Sequence, residues 1–200
     1  TRPSKLNGVS VSTAYLAAER RHADVLEALR GGSALDCAQK GPGGVSLVLI
    51  AAANEHTAAL RVLVRAGCDV DQPREDGTTP MGVAAGTGAC ASVDALATAG
   101  ADVDRGRPAD GVFPLYDAAR GGHAACVGRL LVAGADPDRR TGAGFTPPHA
   151  AVRHGHLDAA TLLDAAGAGR ARPRTPRARR SHARAHAARP GGTRWSIRAS

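Results

Sequence analysis

Three sets of residues in this 200-residue chain have the types and spacing that chemistry uses. The stretch "GADVDRGRPADG", beginning at Gly100, sets Asp102 and Asp104 two residues apart. Asp-x-Asp is a pattern of metal sites and sugar-transferring enzymes, because two close carboxylates can share a hard cation through oxygen ligands. His149, His154 and His156 put three imidazoles within eight residues, the raw material of a metal cluster. Cys37, Cys68, Cys90 and Cys126 supply four thiols for zinc, redox chemistry or cross-links.

The Asp pair is not unique. "GCDVD" begins at Gly67, "GADVD" at Gly100 and "GADPD" at Gly134, which repeats the pair as Asp69/Asp71, Asp102/Asp104 and Asp136/Asp138 at spacings of 33 and 34. A catalytic pair is needed once, whereas a pair recurring at a fixed period belongs to a structural unit. The cysteines are spaced 31, 22 and 36 apart with no C-x-x-C pair, which excludes a zinc site of the usual spacing. The chain shows no secretory signal, and isolated cysteines suit a reducing compartment, so no disulfide framework is expected. No G-x-S-x-G, P-loop or H-E-x-x-H occurs. The chain therefore reads as no enzyme, with no catalytic residue, metal, cofactor or small-molecule substrate.

The elements that must position these residues repeat with the same period. Ser12, Ser46, Thr79, Phe113 and Thr146 are equivalent, at spacings of 34, 33, 34 and 33. Each opens a short Ala-rich stretch, such as "TTPMGVAAGTGA", "VFPLYDAARGGH" and "FTPPHAAVRHGH", followed by an apolar stretch of helical period such as "TAALRVLVRAGC" or "AACVGRLLVAGA". This pattern of T-P, A-A, G-H, a leucine-rich helix and G-A-D resembles the ankyrin repeat, over about residues 7–168. The resemblance implies an all-α solenoid of stacked helix-turn-helix units with β-turn fingers, with repeats at about 7–36, 37–71, 72–104, 105–138 and 139–168. It makes His156 the "GH" histidine, like His22, His56 and His123, with His149 bonding locally in its turn. It places Asp102 and Asp104 in a solvent-exposed turn, and Cys68 and Cys126 at small buried packing positions.

Local chemistry fits that reading. Thr79 is an N-cap, Pro80 suits the first helical position, and Gly100 suits a left-handed C-cap. The departures also carry information. Gly82 and Gly86 fall in one short inner helix, each costing about 1 kcal/mol relative to alanine, so repeat three should be a weak joint. Phe113 stands where a capping threonine belongs. Pro147 and Pro148 both fall in a first helical turn, where proline is tolerated. Repeat one has two extra residues between Gly8 and Ser12 and is read as an N-terminal cap with an uncertain turn.

Charge divides the chain. Its net charge of +8 is carried from Gly169 onward, where ten arginines and no acid occur. Residues 169–200 are Arg, Ala and Pro without apolar periodicity and are expected to be disordered. The cluster Arg172, Arg174, Arg177, Arg179 and Arg180 could attract phosphates or act as a nuclear-import address, and Thr175-Pro176 could be phosphorylated. The same residues fit a compositional bias of the whole chain, and Trp195 is the only stacking aromatic in the tail. The longest apolar run, "VSLVLIAAA", is far short of the ~20 residues that span a bilayer.

The reading is a protein–protein interaction scaffold or adaptor, cytoplasmic and/or nuclear. Two alternatives are a targeting segment of a larger enzyme or membrane protein, and a nucleic-acid-associated protein acting through its basic tail. The chain starts at Thr1 rather than Met, consistent with a fragment or processed product. Carried over from the resemblance, the binding positions beside the turn glycine are Val45, Thr78, Val112 and Phe145. Those on the inner helices are Arg120 and Arg153, with Asn54 and His154 nearby. Three of the four turn residues are apolar and expected to face solvent, so the expected partner has apolar anchors and an acidic flank and docks mainly on repeats four and five.

Overall fold

The computed structural model describes residues 4–6, 9–32 and 34–169. Two short strands, β1 (Ser4–Leu6) and β2 (Val9–Val11), pair antiparallel with Ser4 opposite Val11 and Leu6 opposite Val9. These strands precede the helical array. The expectations for the tail, including Arg172 to Arg180, Thr175 and Trp195, lie outside the described residues.

Five helix pairs follow. They are α1 (Thr13–Glu19) with α2 (Ala23–Gly31), α3 (Leu47–Ala53) with α4 (Thr57–Arg65), α5 (Pro80–Thr87) with α6 (Cys90–Thr98), α7 (Pro114–Gly121) with α8 (Ala124–Val132), and α9 (Pro147–Arg153) with α10 (Leu157–Gly169). The first helix of each pair packs on the first helix of the next, and the second on the second, giving an inner and an outer layer.

Short helices need good ends, because nucleation fixes several residues for a single hydrogen bond. The hydroxyls of Ser12, Ser46 and Thr79 accept from the N–H of Tyr15, Leu49 and Gly82 at 3.1, 3.2 and 3.1 Å. Thr146 uses a different device, its N–H donating to His149 Nδ1 at 3.3 Å with its hydroxyl 2.6 Å from the same nitrogen. Phe113 has no cap to offer and is buried instead. The outer helices end in a shared motif. Gly100 takes φ +85°, its N–H donates to Ala97 O, and the Ala101 N–H donates to Leu96 O. Gly67 and Gly134 repeat it.

Two rows of buried residues hold the layers together. Ala18, Ala52, Ala85 and Ala119 are fully enclosed in the inner layer, where alanine lets neighbouring helices approach. Leu26, Leu60, Val93 and Val127, with Leu63, Leu96, Leu130 and Leu163, form the seam beneath the outer layer.

Gly86 lies inside α5 with a helical backbone, and a Cβ there would meet Asp117 Cβ at 3.5 Å, an ordinary contact. Gly86→Ala should therefore stabilise the chain by about 1 kcal/mol, read as a higher urea midpoint. The weak-joint reading further expects faster amide exchange at 79–98 than at 113–132, and equal protection would count against it.

The cysteines overturn their sequence reading. Cys37 is bonded to Cys68 and Cys90 to Cys126, with Cα–Cα distances of 5.0 and 4.9 Å. Cys68 and Cys126 are indeed buried, but as halves of disulfides. The physical reason is in the separations of 31 and 36. Residues one full period apart sit about 8–10 Å from each other across adjacent helices, too far for a disulfide. Cys90 on α6 and Cys126 on α8, two or three residues off that period, occupy facing positions and can bond, and Cys37 and Cys68 meet outside the helices, after α2 and α4. The argument from cysteines for a reducing compartment falls with this correction.

Candidate protein-binding surface

Each repeat boundary carries a tight finger closed by the same hydrogen bond. Gly41 N–H donates to Val45 O at 2.7 Å, Arg74 N–H to Thr78 O at 3.1 Å, Arg107 N–H to Val112 O at 2.7 Å and Thr141 N–H to Phe145 O at 2.9 Å. The second and third fingers are braced by carboxylates. Asp76 accepts from the Thr78 N–H and Arg74 Nε, and Asp110 from the Val112 N–H and Arg107 Nε. The Arg74 guanidinium holds the Asp76 carboxyl well below the usual carboxylate range.

The fingers stack, and this corrects the expected row of exposed turn residues. A Cβ on Gly77 would come within 2.5 Å of Pro108, and one on Gly111 within 2.8 Å of the Gly142 nitrogen. The Gly142 N–H in turn donates to Asp110 O at 2.8 Å. Each finger thus shields its predecessor. Thr78 and Val112 are buried, Val45 is half-buried, and Phe145, on the last finger described, is 41% exposed.

The Asp pairs join adjacent fingers. Asp102 Oδ1 accepts from the Asp104 N–H at 2.9 Å, as Asp69 does from Asp71 and Asp136 from Asp138. The second member reaches across, Asp71 accepting from the Asp102 N–H at 3.1 Å and Asp104 from the Asp136 N–H at 3.4 Å. Their acceptor capacity is directed at backbone N–H groups. Among the described residues, no group of three or more His, Cys, Asp or Glu is arranged to hold a metal.

The histidines are structural. His56 Nδ1, His123 Nε2 and His156 Nε2 donate to Ala18 O, Gly86 O and Arg120 O at 2.9, 3.1 and 3.0 Å, tying the starts of α4, α8 and α10 to the inner helix of the preceding repeat. His149 serves the turn as expected.

At the C-terminal ends of the inner helices Asn54, Arg120, Arg153 and His154 are exposed. Asn54 Nδ2 reaches Glu19 O at 3.5 Å, His154 stacks on His156 with centroids 6.4 Å apart, and Arg120 pairs with Asp117 at 2.9 Å. Arg153 lies over the Phe145 ring, 6.0 Å from its centroid. Phe145 and Arg153 share a cavity of about 380 Å³ with Tyr116, Pro148 and Val152, none of which the sequence marks as a binding position. Val152 is legible as the second member of the Ala-Ala pair, and its size is the available signal. Asn54, Val45, Thr78 and Arg120 do not line this cavity.

The pattern of capped inner helices, stacked fingers and paired layers is reflected in a family comparison. A family model described as ankyrin repeats (3 copies) matches residues 14–107 and 104–169. The chain belongs to the ankyrin-repeat family. A search of curated proteins finds no match to this ankyrin-repeat chain. Among its described residues no helix is long and apolar enough to cross a membrane.

One residue of the ankyrin-repeat array breaks the apolar pattern. Asp117 occupies an inner-helix position filled by Leu16, Ile50, Val83 and Ala150 in the other repeats, and is 6% exposed. Burial pushes its carboxyl up, against the opposing charge of Arg120. A folded-state pKa above the unfolded one means that its stability contribution is greatest at low pH and is lost as pH rises through the raised value. Asp117→Leu should therefore gain about 1–2 kcal/mol at pH 7, because Arg120 is half-exposed and needs no buried partner. The gain over the parent should shrink as pH falls, and urea melts at pH 7 and pH 4 check both signs.

Proposed function

We propose that this chain is a protein–protein interaction scaffold or adaptor that recognises its partner through fingers and inner helices. Ankyrin repeats are generally protein-interaction modules and typically non-catalytic, which supports the class. The observation that carries the finer reading is the pattern along the inner layer. The helices bury an alanine face against their neighbours, while Asn54, Arg120 and Arg153, following that face in their repeats, present exposed polar groups. Stacked repeats convert such positions into one extended surface. The site residues favoured by exposure are Asn54, Arg120, Phe145, Arg153 and His154, with Val45 at the margin.

The test is amide exchange of the full chain, alone and with a partner captured from cells. Protection at 45–54, 113–120 and 145–154 supports the reading. Protection confined to α4, α6 and α8 would move the site to the outer helices.

A further inference from the structure

We propose that the cleft at the fifth repeat takes an acidic protein segment bearing one bulky apolar side chain. This rests on the reading of the chain as a protein-binding array and names the chemistry of the partner at one place on it.

The cleft is apolar and unfilled. Tyr116, Phe145, Pro148 and Val152 surround a cavity of about 380 Å³, near the small end of the roughly 300–1,000 Å³ typical of ligand sites. Val152 is 70% exposed, whereas its counterparts Ala18, Ala52, Ala85 and Ala119 are fully buried by the following repeat. A large apolar side chain seated here would cover Val152 as a following repeat covers those alanines. Phe145 is likewise the one exposed residue among the four that close the fingers.

The rim is cationic because this finger has lost its acid. Arg74 pairs with Asp76 and Arg107 with Asp110 on the preceding fingers. Ala143 stands where Asp110 stands one repeat earlier. Arg140 donates to the Gly144 carbonyl on this finger, and Arg153 stands over Phe145. Among the described residues no carboxylate forms an ion pair with Arg140 or Arg153. Arg153 lines the apolar cavity and Arg140 lies on the same finger, and guanidiniums without a carboxylate partner there are complementary to carboxylates flanking an apolar anchor. Residues 169–200, with ten arginines and no acid, have the wrong sign to fill this role.

The experiment uses the full chain with its disulfides intact. The probe is a fluorescein-labelled heptapeptide with Phe at its centre and Glu on both sides. Comparators carry Ala at the centre, or Lys in place of Glu. Anisotropy should show binding of the first peptide, about ten-fold weaker binding of the Ala-centred one, and none of the Lys-flanked one. Val152→Glu and Arg153→Glu should each weaken binding about ten-fold, with unchanged circular dichroism, while Arg61→Glu on α4 leaves it intact. Equal affinity for Phe- and Ala-centred peptides overturns the proposal. So does insensitivity to both cleft variants, or amide shifts confined to residues 170–200. If the peptide fails while a captured partner still protects the inner helices, this inference falls and the general reading stands. If the captured partner protects only the outer helices, the general reading falls.

Discussion

Reducing the Cys90–Cys126 bond should lower the stability of the array by about 2–4 kcal/mol. The bond closes a separation of 36 residues and joins the first turn of α6 to α8. Closing a loop of this length restricts the unfolded chain far more than the folded one, in which the two Cα atoms already lie 4.9 Å apart. The variant to compare is Cys90→Ser with Cys126→Ala. Cys126 is fully enclosed, so a serine hydroxyl there would add a desolvation cost of its own. Urea unfolding followed by far-ultraviolet circular dichroism should show a lower midpoint for the variant under oxidising conditions. Dithiothreitol should lower the parent's midpoint further than the variant's, because the parent then loses both bonds and the variant only Cys37–Cys68. The Cys90–Cys126 bond clamps repeat three to four and the Cys37–Cys68 bond ties the segment after α2 to the turn after α4, leaving two–three and four–five joined by packing and hydrogen bonds without a covalent link. Since each repeat contacts only its neighbours, reduction should also broaden the transition. A parent midpoint indifferent to dithiothreitol would show that the bonds add nothing to the fold.

Phe113→Thr should destabilise the chain by about 2–3 kcal/mol, although it supplies a hydroxyl where Ser12, Ser46 and Thr79 cap three of the other inner helices. Two effects compete. A threonine cap on α7 would gain about 1 kcal/mol. Against it, Phe113 is 1% exposed, and removing most of a buried phenylalanine costs about 3–5 kcal/mol. The Arg139 guanidinium lies 5.0 Å from the ring centroid and Tyr116 packs at 6.2 Å, so both lose a partner. The lost packing outweighs the new cap. Phe113→Leu, which keeps most of the volume, should lose about half as much or less. Urea melts of the three proteins rank the effects, and a Thr variant as stable as the parent would mean that the cap outweighs the core.

The tertiary structure also explains why the last finger differs from the others. Thr78 and Val112 close the same hydrogen bond as Phe145, yet only Phe145 is exposed, because a following finger covers the first two. Val152 differs from Ala119 for the same reason. The exposed apolar turn residue therefore lies at the fifth repeat instead of recurring as a row along the array.

The sequence by itself determined what lies within one repeat. Ser46 and Thr79 as caps, proline at first helical positions, glycine at Gly100, and alanine pairs in the inner helices are all consequences of hydrogen bonds and sterics spanning a few residues. Five copies at a period of 33–34 made those local signals add up to a family and a fold. What passes between repeats was decided only by the tertiary structure. The disulfides, the reach of Asp71 to Asp102, the burial of Val112, and the gathering of Tyr116, Phe145 and Val152 around one cavity all depend on how far and at what offset one unit stacks on the next. That offset is a distance through space between residues some thirty positions apart, and no spacing along the chain encodes it directly.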